Sequence, residues 1–175
     1  MKQKLKLALV GAGERGQYCY APYAKMHGYE IEFVAVADPH KGRREKFVQD
    51  YHVPAEGVFE TAEQFFARPR MADAVLICTQ DSQHYAYACQ AIDLGYSILL
   101  EKPISPSVRE CLDLQRRAEE KGTQIMVCHV MRYTKFYRKL KELIDSGVIG
   151  DVVHVTHTEN VAYWHYAHSY VRGNW

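Results

Sequence analysis

Short apolar runs alternate with longer amphipathic stretches along most of this chain. The apolar runs predict strands, most of them buried on both faces, at residues 5–10, 31–37, 72–78, 98–101 and 124–128. The stretches between them predict helices at residues 14–26, 41–51, 61–68, 84–94, 108–121 and 134–145. Strands and helices that alternate in this way are typical of a doubly wound parallel sheet, so the pattern predicts an α/β fold.

Three details refine this pattern. Pro22 is predicted to kink the first helix, because proline has no backbone N–H to donate. Thr61, followed three residues later by Gln64, predicts a capping box at the start of the third helix. Residues 151–158 alternate between apolar and polar types, which predicts a further strand with one face in water.

A glycine-rich turn follows the first predicted strand. Gly11, Gly13 and Gly16 match the pattern GxGxxG, and Glu14 and Arg15 lie between the last two glycines. Such glycines allow a tight turn, a close approach of the backbone to a pyrophosphate, and packing of the helix on the strand. The first N–H groups of the helix would bind the phosphates. The turn therefore predicts dinucleotide binding, with a purely structural glycine turn as the alternative.

Asp38 ends the second predicted strand, about 20 residues beyond the glycine turn, where a ribose-binding acid is expected. Its carboxylate would accept a hydrogen bond from the ribose 2′-hydroxyl and repel a 2′-phosphate, so the sequence favours NAD as the cofactor. Four basic residues after it keep NADP possible. They would either hold a 2′-phosphate or form the solvated face of a helix, and they are His40, Lys41, Arg43 and Arg44.

A polar segment follows the strand at residues 72–78, at the sheet edge where open parallel sheets bind ligands. Its residues Thr79, Gln80, Asp81 and His84 are predicted to pass near the ribose and nicotinamide of the cofactor. The alternative is a helix start, since Asp81 or its neighbour Ser82 would make a good N-cap.

The strand at residues 98–101 runs directly into Glu101, Lys102 and Pro103. Because proline cannot donate to a sheet ladder, the strand must stop there and leave Lys102 at the same edge. We expect Lys102 to polarise or deprotonate a substrate hydroxyl as a catalytic acid–base group. Glu101 would either hold the Lys102 ammonium or contact the cofactor. The alternative is a charged strand end that simply faces water.

Composition narrows the class of protein. Hydrophobic residues make up 47% of the chain and charged residues 25%, with a formal net charge of +1, as in soluble globular proteins. Because there is no block of like charge and no long apolar run, we expect neither nucleic acid nor a membrane as a partner. The five cysteines include no CxxC pair, so we expect a reduced, cytoplasmic protein without a metal site.

Several motifs in one order carry a resemblance. GAGERG, VAVAD, DAVLICTQDSQHYAYACQAIDLGYSILLEKP and VCHVMRYTKFYRKLKELIDSGVIGDV resemble the Gfo/Idh/MocA oxidoreductases over essentially the whole chain. The resemblance implies a Rossmann-type, dinucleotide-binding domain at residues 1–130 and the start of a second α/β domain at residues 131–175. It also implies an NAD(P)-dependent dehydrogenase that transfers a hydride between a nicotinamide and a sugar, inositol or related polyol.

The same resemblance assigns roles to residues. It implies that Lys102 faces both nicotinamide and substrate, and that the lysine–proline bond is often cis. It implies that His129, Arg132 and Tyr133 help to form the substrate pocket or the junction between domains. The alternative is an interior histidine at His129 and an interdomain ion pair at Arg132. Gln80 departs from the family, which usually has a proline there.

Family chains are considerably longer than this one, and their second catalytic element, an Asp followed by a His, would lie beyond Trp175. We therefore expect a truncated or partial chain whose C-terminal domain would mediate homo-oligomer formation. The alternative is an unusually small complete protein that pairs the strand at residues 151–158 with a partner chain. Two other functions stay open. One is a glycoside hydrolase of the same fold that uses tightly held NAD, and the other is a non-catalytic dinucleotide-binding module.

Overall fold

Six parallel strands lie in a single sheet. The computed structural model describes residues 3–171, without the side chains of residues 168 and 169. The strands are β1 (Leu5–Val10), β2 (Ile31–Ala37), β3 (Val58–Phe59), β4 (Ala74–Ile77), β5 (Ser97–Leu100) and β6 (Ile125–Val127). Their spatial order is β3-β2-β1-β4-β5-β6, with every neighbouring pair parallel. This is the doubly wound Rossmann order, so the predicted fold class is confirmed.

Six of the seven α-helices in the described residues lie within the predicted ranges, and the last one was not predicted. The seven are α1 (Pro22–Met26), α2 (Lys41–Tyr51), α3 (Ala62–Phe66), α4 (His84–Asp93), α5 (Val108–Lys121), α6 (Lys135–Asp145) and α7 (Tyr163–Tyr166). A π-helical turn, Arg15–Tyr20, precedes α1, and the helical run changes at Pro22 as predicted. Thr61 caps α3 by accepting a hydrogen bond from the Gln64 N–H at 3.3 Å. Only half of the predicted capping box forms, because the Gln64 side chain accepts from the Glu60 N–H instead.

Apolar side chains cover both faces of the sheet. On one face Val10, Ile77 and Leu100 pack with residues of α3, α4 and α5. On the other face Leu9 packs with Phe47 of α2. Leu9 and Val10 are neighbours in one strand, where successive side chains point to opposite faces. The continuous apolar runs in the sequence therefore reflect strands buried on two sides, as expected for a parallel sheet.

Two differences from the predicted elements have simple physical causes. β3 was not predicted, because the two residues Val58–Phe59 are too few to produce a periodic pattern. Residues 151–158 were predicted as a strand, and this prediction is wrong, because the structure assigns them no strand. An alternating pattern forms a stable strand only beside a partner, and no described strand pairs with this segment.

The chain divides into two compact units, one ending at Cys128 and one beginning at His129. The first contains the entire sheet and α1 to α5, and the second contains α6 and α7. The roles assigned to domains at residues 1–130 and 131–175 remain predictions. No helix among residues 3–171 is both long enough and apolar enough to cross a membrane.

Candidate functional site

The glycine turn follows β1 and lies at the carboxyl ends of β1 and β4. Its backbone is tied to β2 by a hydrogen bond from the Gly11 N–H to the Ala37 carbonyl at 2.8 Å. Gly11 has a φ of +94°, and a Cβ added there would lie 2.6 Å from the Cys78 carbonyl oxygen at the end of β4. Only glycine permits both the left-handed backbone and this close approach of two strand ends.

The other two glycines have different surroundings. A Cβ on Gly16 would lie 2.8 Å from Leu9 Cδ1 and would also overlap the Gly11 carbonyl, so Gly16 permits the helical segment to pack on β1. A Cβ on Gly13 would meet nothing nearer than the Arg43 guanidinium at 4.0 Å. The backbone is therefore open at Gly13. Among the described residues, the N–H groups of Gly13 and Glu14 have no hydrogen-bond acceptor, so they are free to bind an anion.

A pocket of 370 Å³ adjoins this open backbone. Its lining residues come from the glycine turn, the π-helical turn and the start of α2, and they are Ala12, Gly13, Glu14, Gln17, Tyr18 and Arg43. Gln17 is 3% exposed, and its Nε2 atom has no hydrogen-bond partner among the described residues. A buried amide N–H without a partner is costly, so this wall of the pocket is suited to a ligand that brings an acceptor.

Asp38 lies behind the glycine turn, with only 3% of its surface exposed. Its Oδ2 accepts from the Ala12 N–H at 2.7 Å, and its Oδ1 accepts from the His40 N–H at 2.8 Å. The carboxylate therefore fixes the turn in addition to any ribose contact. Each carboxylate oxygen can accept more than one hydrogen bond, so the predicted ribose contact remains chemically open and remains a prediction.

Thr79 and His84 bring a second loop to the same edge. Thr79 Oγ1 is buried and has no hydrogen-bond partner in the described part of the chain. His84 is fully buried, and its ring nitrogens lie 3.1 Å from the Thr79 carbonyl and 2.6 Å from the Pro103 carbonyl. His84 therefore joins the loop after β4 to the loop after β5. A cofactor contact by His84 remains a prediction.

The remaining residues of this loop start a helix. Asp81–Gln83 form a 3₁₀ turn that leads into α4. Gln80 is the N-cap residue, and its side chain forms a capping box with Gln83, so the predicted caps Asp81 and Ser82 are displaced by one position. The helix-start interpretation therefore holds for Gln80. A cofactor contact by Gln80 or the exposed Asp81 remains a prediction.

Glu101 anchors the end of β5. The residue is 7% exposed; its Oε1 accepts from the Tyr20 hydroxyl, and its Oε2 accepts from the Lys102 backbone N–H at 3.0 Å. Burial raises the pKa of the Tyr20 hydroxyl, and the adjacent Cys128 and Glu101 raise it further, so Tyr20 remains a donor. Glu101 therefore holds the Lys102 backbone N–H and not the ammonium, and its predicted contact with the cofactor remains a prediction.

Lys102 is exposed at this edge, and its peptide bond to Pro103 is cis, as the resemblance implies. No hydrogen bond or ion pair to Lys102 Nζ occurs within residues 3–171. The Lys102 ammonium is therefore free to bind a ligand, while Glu101 holds the Lys102 backbone N–H.

Arg15 was also predicted to bind the cofactor. It is exposed, and its Nη1 atom lies 3.9 Å from the Cys19 sulfur.

Comparisons with known proteins decide the family. A sequence model described as "Oxidoreductase family, NAD-binding Rossmann fold" and named GFO_IDH_MocA matches residues 5–129. The chain belongs to the Gfo/Idh/MocA family. The inositol 2-dehydrogenase of Pseudomonas syringae pv. syringae is 32% identical to the chain over 157 residues, which are 87% of this chain and 46% of that protein.

Two further proteins are similar to the chain. The 2,7-anhydro-N-acetylneuraminate hydratase of Mediterraneibacter gnavus is 29% identical over 87% of this chain and 39% of that protein. The scyllo-inositol dehydrogenase of Lactobacillus casei, solved with NAD(H) and scyllo-inositol, has a TM-score of 0.76 at 22% identity over 85% of this chain and 43% of that one. The chain thus spans less than half the length of these relatives.

The residues of the first unit suit a nicotinamide dinucleotide, which members of this family bind. The space at Gly13, the free N–H groups beside it and the orphaned Thr79 hydroxyl lie along one sheet edge. Gly11, Gly13, Glu14, Arg15 and Gly16 would surround the pyrophosphate in this arrangement, with Thr79 further along the edge. No group of three or more His, Cys, Asp or Glu side chains in the described chain is placed to hold a metal ion.

The predicted substrate residues belong to the second unit. His129 is the N-cap residue of a 3₁₀ turn, Val130–Tyr133, that contains Arg132, and all of these side chains are exposed within the described structure. Their role in binding substrate remains a prediction. Sequence reasoning missed Tyr20 and Gln17. Tyr20 lies 81 positions from Glu101, so no local pattern could have linked them.

Proposed function

We propose that this chain is the cofactor-binding part of an NAD(P)-dependent oxidoreductase that transfers a hydride between a nicotinamide and an inositol, sugar or related polyol. The observation that carries the proposal is the free ammonium of Lys102, which lies at the same sheet edge as the open glycine turn. The relatives named inositol dehydrogenase support the substrate class.

The glycine turn would hold the dinucleotide in this proposal. The N–H groups of Gly13 and Glu14 would donate to the pyrophosphate, with the pocket beside them receiving the adenosine end. Asp38 would accept a hydrogen bond from the ribose 2′-hydroxyl while it continues to hold the turn. NAD, when bound, supplies the hydride acceptor for oxidation of the substrate alcohol.

Lys102 would act on the substrate hydroxyl. Oxidation of a secondary alcohol releases a proton from oxygen as the C–H bond gives up its hydride, and Lys102 in its neutral amine form would accept that proton and become an ammonium. In the reverse reaction the ammonium would return the proton to the carbonyl oxygen as the nicotinamide delivers its hydride. Glu101 accepts a hydrogen bond from the Lys102 backbone N–H at 3.0 Å, which holds the Lys102 backbone at the end of β5. His129, Arg132 and Tyr133 would contribute polar groups that orient the polyol.

Binding of the cofactor is tested on the chain itself. NADH fluorescence titration should give saturable binding, which Lys102→Met changes by no more than about threefold, because the pyrophosphate contacts are untouched. Lys121→Met at the end of α5 is the matched control, since it removes the same charge far along the chain from the turn. Absence of NADH binding by the wild-type chain would contradict the proposal.

Turnover is tested on the product of the complete reading frame that encodes the chain. With NAD and a panel of inositols and sugars, NADH should accumulate, and Lys102→Met should reduce the rate by about 10²–10⁴-fold while Lys121→Met does not. Turnover that survives in Lys102→Met would remove Lys102 from the catalytic role.

A reaction without net oxidation is a second candidate, favoured by the relative named as a hydratase. Chromatography of the products distinguishes the two reactions, because altered or released sugar without accumulated NADH indicates the second. Cofactor binding with no turnover of any kind would indicate a non-catalytic module.

A further inference from the structure

The backbone of Lys102 lies just beyond the hydrogen bonds of the sheet. The Glu101 N–H still donates to the Ile77 carbonyl of β4 at 3.0 Å. The Lys102 N–H does not continue this ladder and donates to the Glu101 carboxylate at 3.0 Å. Because every backbone N–H needs an acceptor and the sheet offers none at this point, the position of the Lys102 backbone depends on side chains.

Two side chains from other elements support this stretch of backbone. Before Lys102, the Tyr20 hydroxyl donates to Oε1 of Glu101, while Oε2 of the same carboxylate accepts from the Lys102 N–H. After Lys102, the His84 ring lies 2.6 Å from the carbonyl of Pro103. Glu101 and His84 are both buried, where hydrogen bonds are stronger than in water. The exposed lysine therefore stands on a backbone that is held from inside the protein.

Tyr20 belongs to the helical segment that begins at the glycine turn. The open backbone N–H groups of the turn lie at the start of this segment, and Tyr20 is its last residue. The Tyr20 hydroxyl contacts Glu101 at the end of β5 and the Cys128 thiol at the end of β6. One short segment therefore reaches from the predicted place of the pyrophosphate to the strand end that carries Lys102.

Loss of the Tyr20 hydroxyl would disturb the carboxylate that holds Lys102. Among the described residues, the Lys102 N–H would be the one donor left to the Glu101 carboxylate. A buried charge with too few donors is costly, so the carboxylate would shift toward water or another donor. Displacement of a reacting group by about 1 Å can cost about 10²-fold in rate, so a small shift of the backbone is sufficient to affect catalysis.

We propose that Tyr20 is a positioning residue for Lys102, which it holds through Glu101 at a fixed place relative to a dinucleotide bound on the glycine turn. The inference rests on the proposed function, because it requires Lys102 to accept the substrate proton and the dinucleotide to lie on this turn. Tyr20 acts on the reaction only through Glu101, and it takes no part in hydride or proton transfer.

The first test measures amide hydrogen exchange at Lys102 in the 175-residue chain. The reference is the Ile98 N–H, which donates to the Gln124 carbonyl within the sheet at 2.9 Å. Tyr20→Phe should raise the exchange rate of the Lys102 N–H relative to that of Ile98 by about tenfold or more, because the acceptor of Lys102 is loosened while the ladder remains. This measurement depends on neither cofactor nor turnover.

Tyr87→Phe is the matched control. Tyr87 donates to the Glu63 carboxylate at 2.8 Å, between α4 and α3, so this variant loses the same type of hydrogen bond elsewhere in the first unit. Its stability should fall by a similar amount. The exchange rate of Lys102 relative to Ile98 should nevertheless stay within about threefold of wild type.

The second test measures a single turnover by the product of the complete reading frame that encodes the chain. Tyr20→Phe should lower the rate constant of NADH formation by about tenfold and leave the amplitude and the NADH dissociation constant within about threefold of wild type. A merely structural role would lower the amplitude, which counts active molecules, and not the rate constant. Tyr87→Phe should keep the wild-type rate constant.

The outcomes separate this inference from the proposed function. Turnover that survives in Lys102→Met contradicts the proposed role of Lys102. If Lys102→Met abolishes turnover but Tyr20→Phe keeps the wild-type rate constant, the positioning role of Tyr20 alone is overturned. The role is also overturned if the Lys102 N–H stays protected in Tyr20→Phe, or if Tyr87→Phe produces the same two changes, because a general loss of stability would then explain them.

Discussion

Removal of the Tyr20 hydroxyl should destabilise the first unit measurably. Tyr20→Phe deletes the hydrogen bond to the Glu101 carboxylate, which is 7% exposed, and leaves one oxygen without its protein donor. A hydrogen bond to a charged group contributes about 1.5–3 kcal/mol. Tyr20 is only half-buried and Glu101 keeps the Lys102 N–H, so we expect a loss of about 1–2 kcal/mol, or roughly 2–6 °C in Tm.

Urea unfolding followed by far-ultraviolet circular dichroism is the appropriate assay. Both tryptophans of the chain follow residue 128 in the sequence, whereas circular dichroism reads the strands and helices of the first unit directly. Tyr18→Phe is the control, because the Tyr18 side chain is 60% exposed and its hydroxyl has no hydrogen-bond partner among the described residues. Its unfolding free energy should change by no more than about 0.5 kcal/mol.

The pH dependence of the unfolding free energy tests independently whether the Tyr20 hydroxyl is the source of this stabilisation. Burial raises the pKa of Tyr20, whereas an unfolded tyrosine ionises near pH 10, about its ordinary value. The stabilising contribution is therefore complete below about pH 10 and declines as the pH rises further, so the gap between wild type and Tyr20→Phe should narrow there. Equal stability of the two proteins at neutral pH, or no coupling in a double-mutant cycle with Glu101→Gln, would refute the reasoning.

Two further predictions concern the glycine turn and α5. Gly16→Ala should destabilise the chain by about 1–3 kcal/mol, because its Cβ would overlap the Gly11 carbonyl and Leu9. Gly13→Ala should leave the fold within about 0.5 kcal/mol but weaken NADH binding, so similar melting of the two variants would contradict the assigned roles. Hydrogen bonds from Arg116 and Arg117 hold the pKa of Asp113 well below its usual range. Asp113→Asn should therefore lower stability at neutral pH, with the difference from wild type shrinking below about pH 4 in urea unfolding at several pH values. If the difference in unfolding free energy between wild type and Asp113→Asn does not change with pH, the Asp113 carboxylate is not the source of that difference.

Local patterns in the sequence were sufficient for five of the six strands of the sheet and for the glycine turn. Strands such as Leu5–Val10 are continuous apolar runs because they are buried on both faces, and a turn such as Gly11 to Gly16 is set by neighbouring residues. Contacts between distant residues left no comparable pattern. The buried His84 ring contacts the Pro103 carbonyl, which is 19 positions away in the sequence. Asp38 accepts a hydrogen bond from the Ala12 N–H across 26 positions.

The segment at residues 151–158 shows that a local pattern can also predict an element that does not form. Its alternating residues satisfy the pattern of a strand, but pairing depends on a neighbour that the pattern itself cannot supply. The predicted roles of His129, Arg132 and Tyr133 have the same weakness, because they depend on how side chains from different parts of the chain come together. Local sequence therefore predicted the scaffold of the site better than the contacts made across it.

The π-helical turn determines the rotational position of Tyr20. Its hydrogen bond from the Ala21 N–H to the Gly16 carbonyl spans five residues, one more than in an α-helix. One residue of an α-helix corresponds to about 100° of rotation. Loss of a single residue from this turn would therefore rotate the following side chains around the axis and separate the Tyr20 hydroxyl from Glu101. The number of residues in this turn therefore determines whether the Tyr20 hydroxyl reaches Glu101. Through that contact the turn is linked to the end of β5, where Lys102 lies.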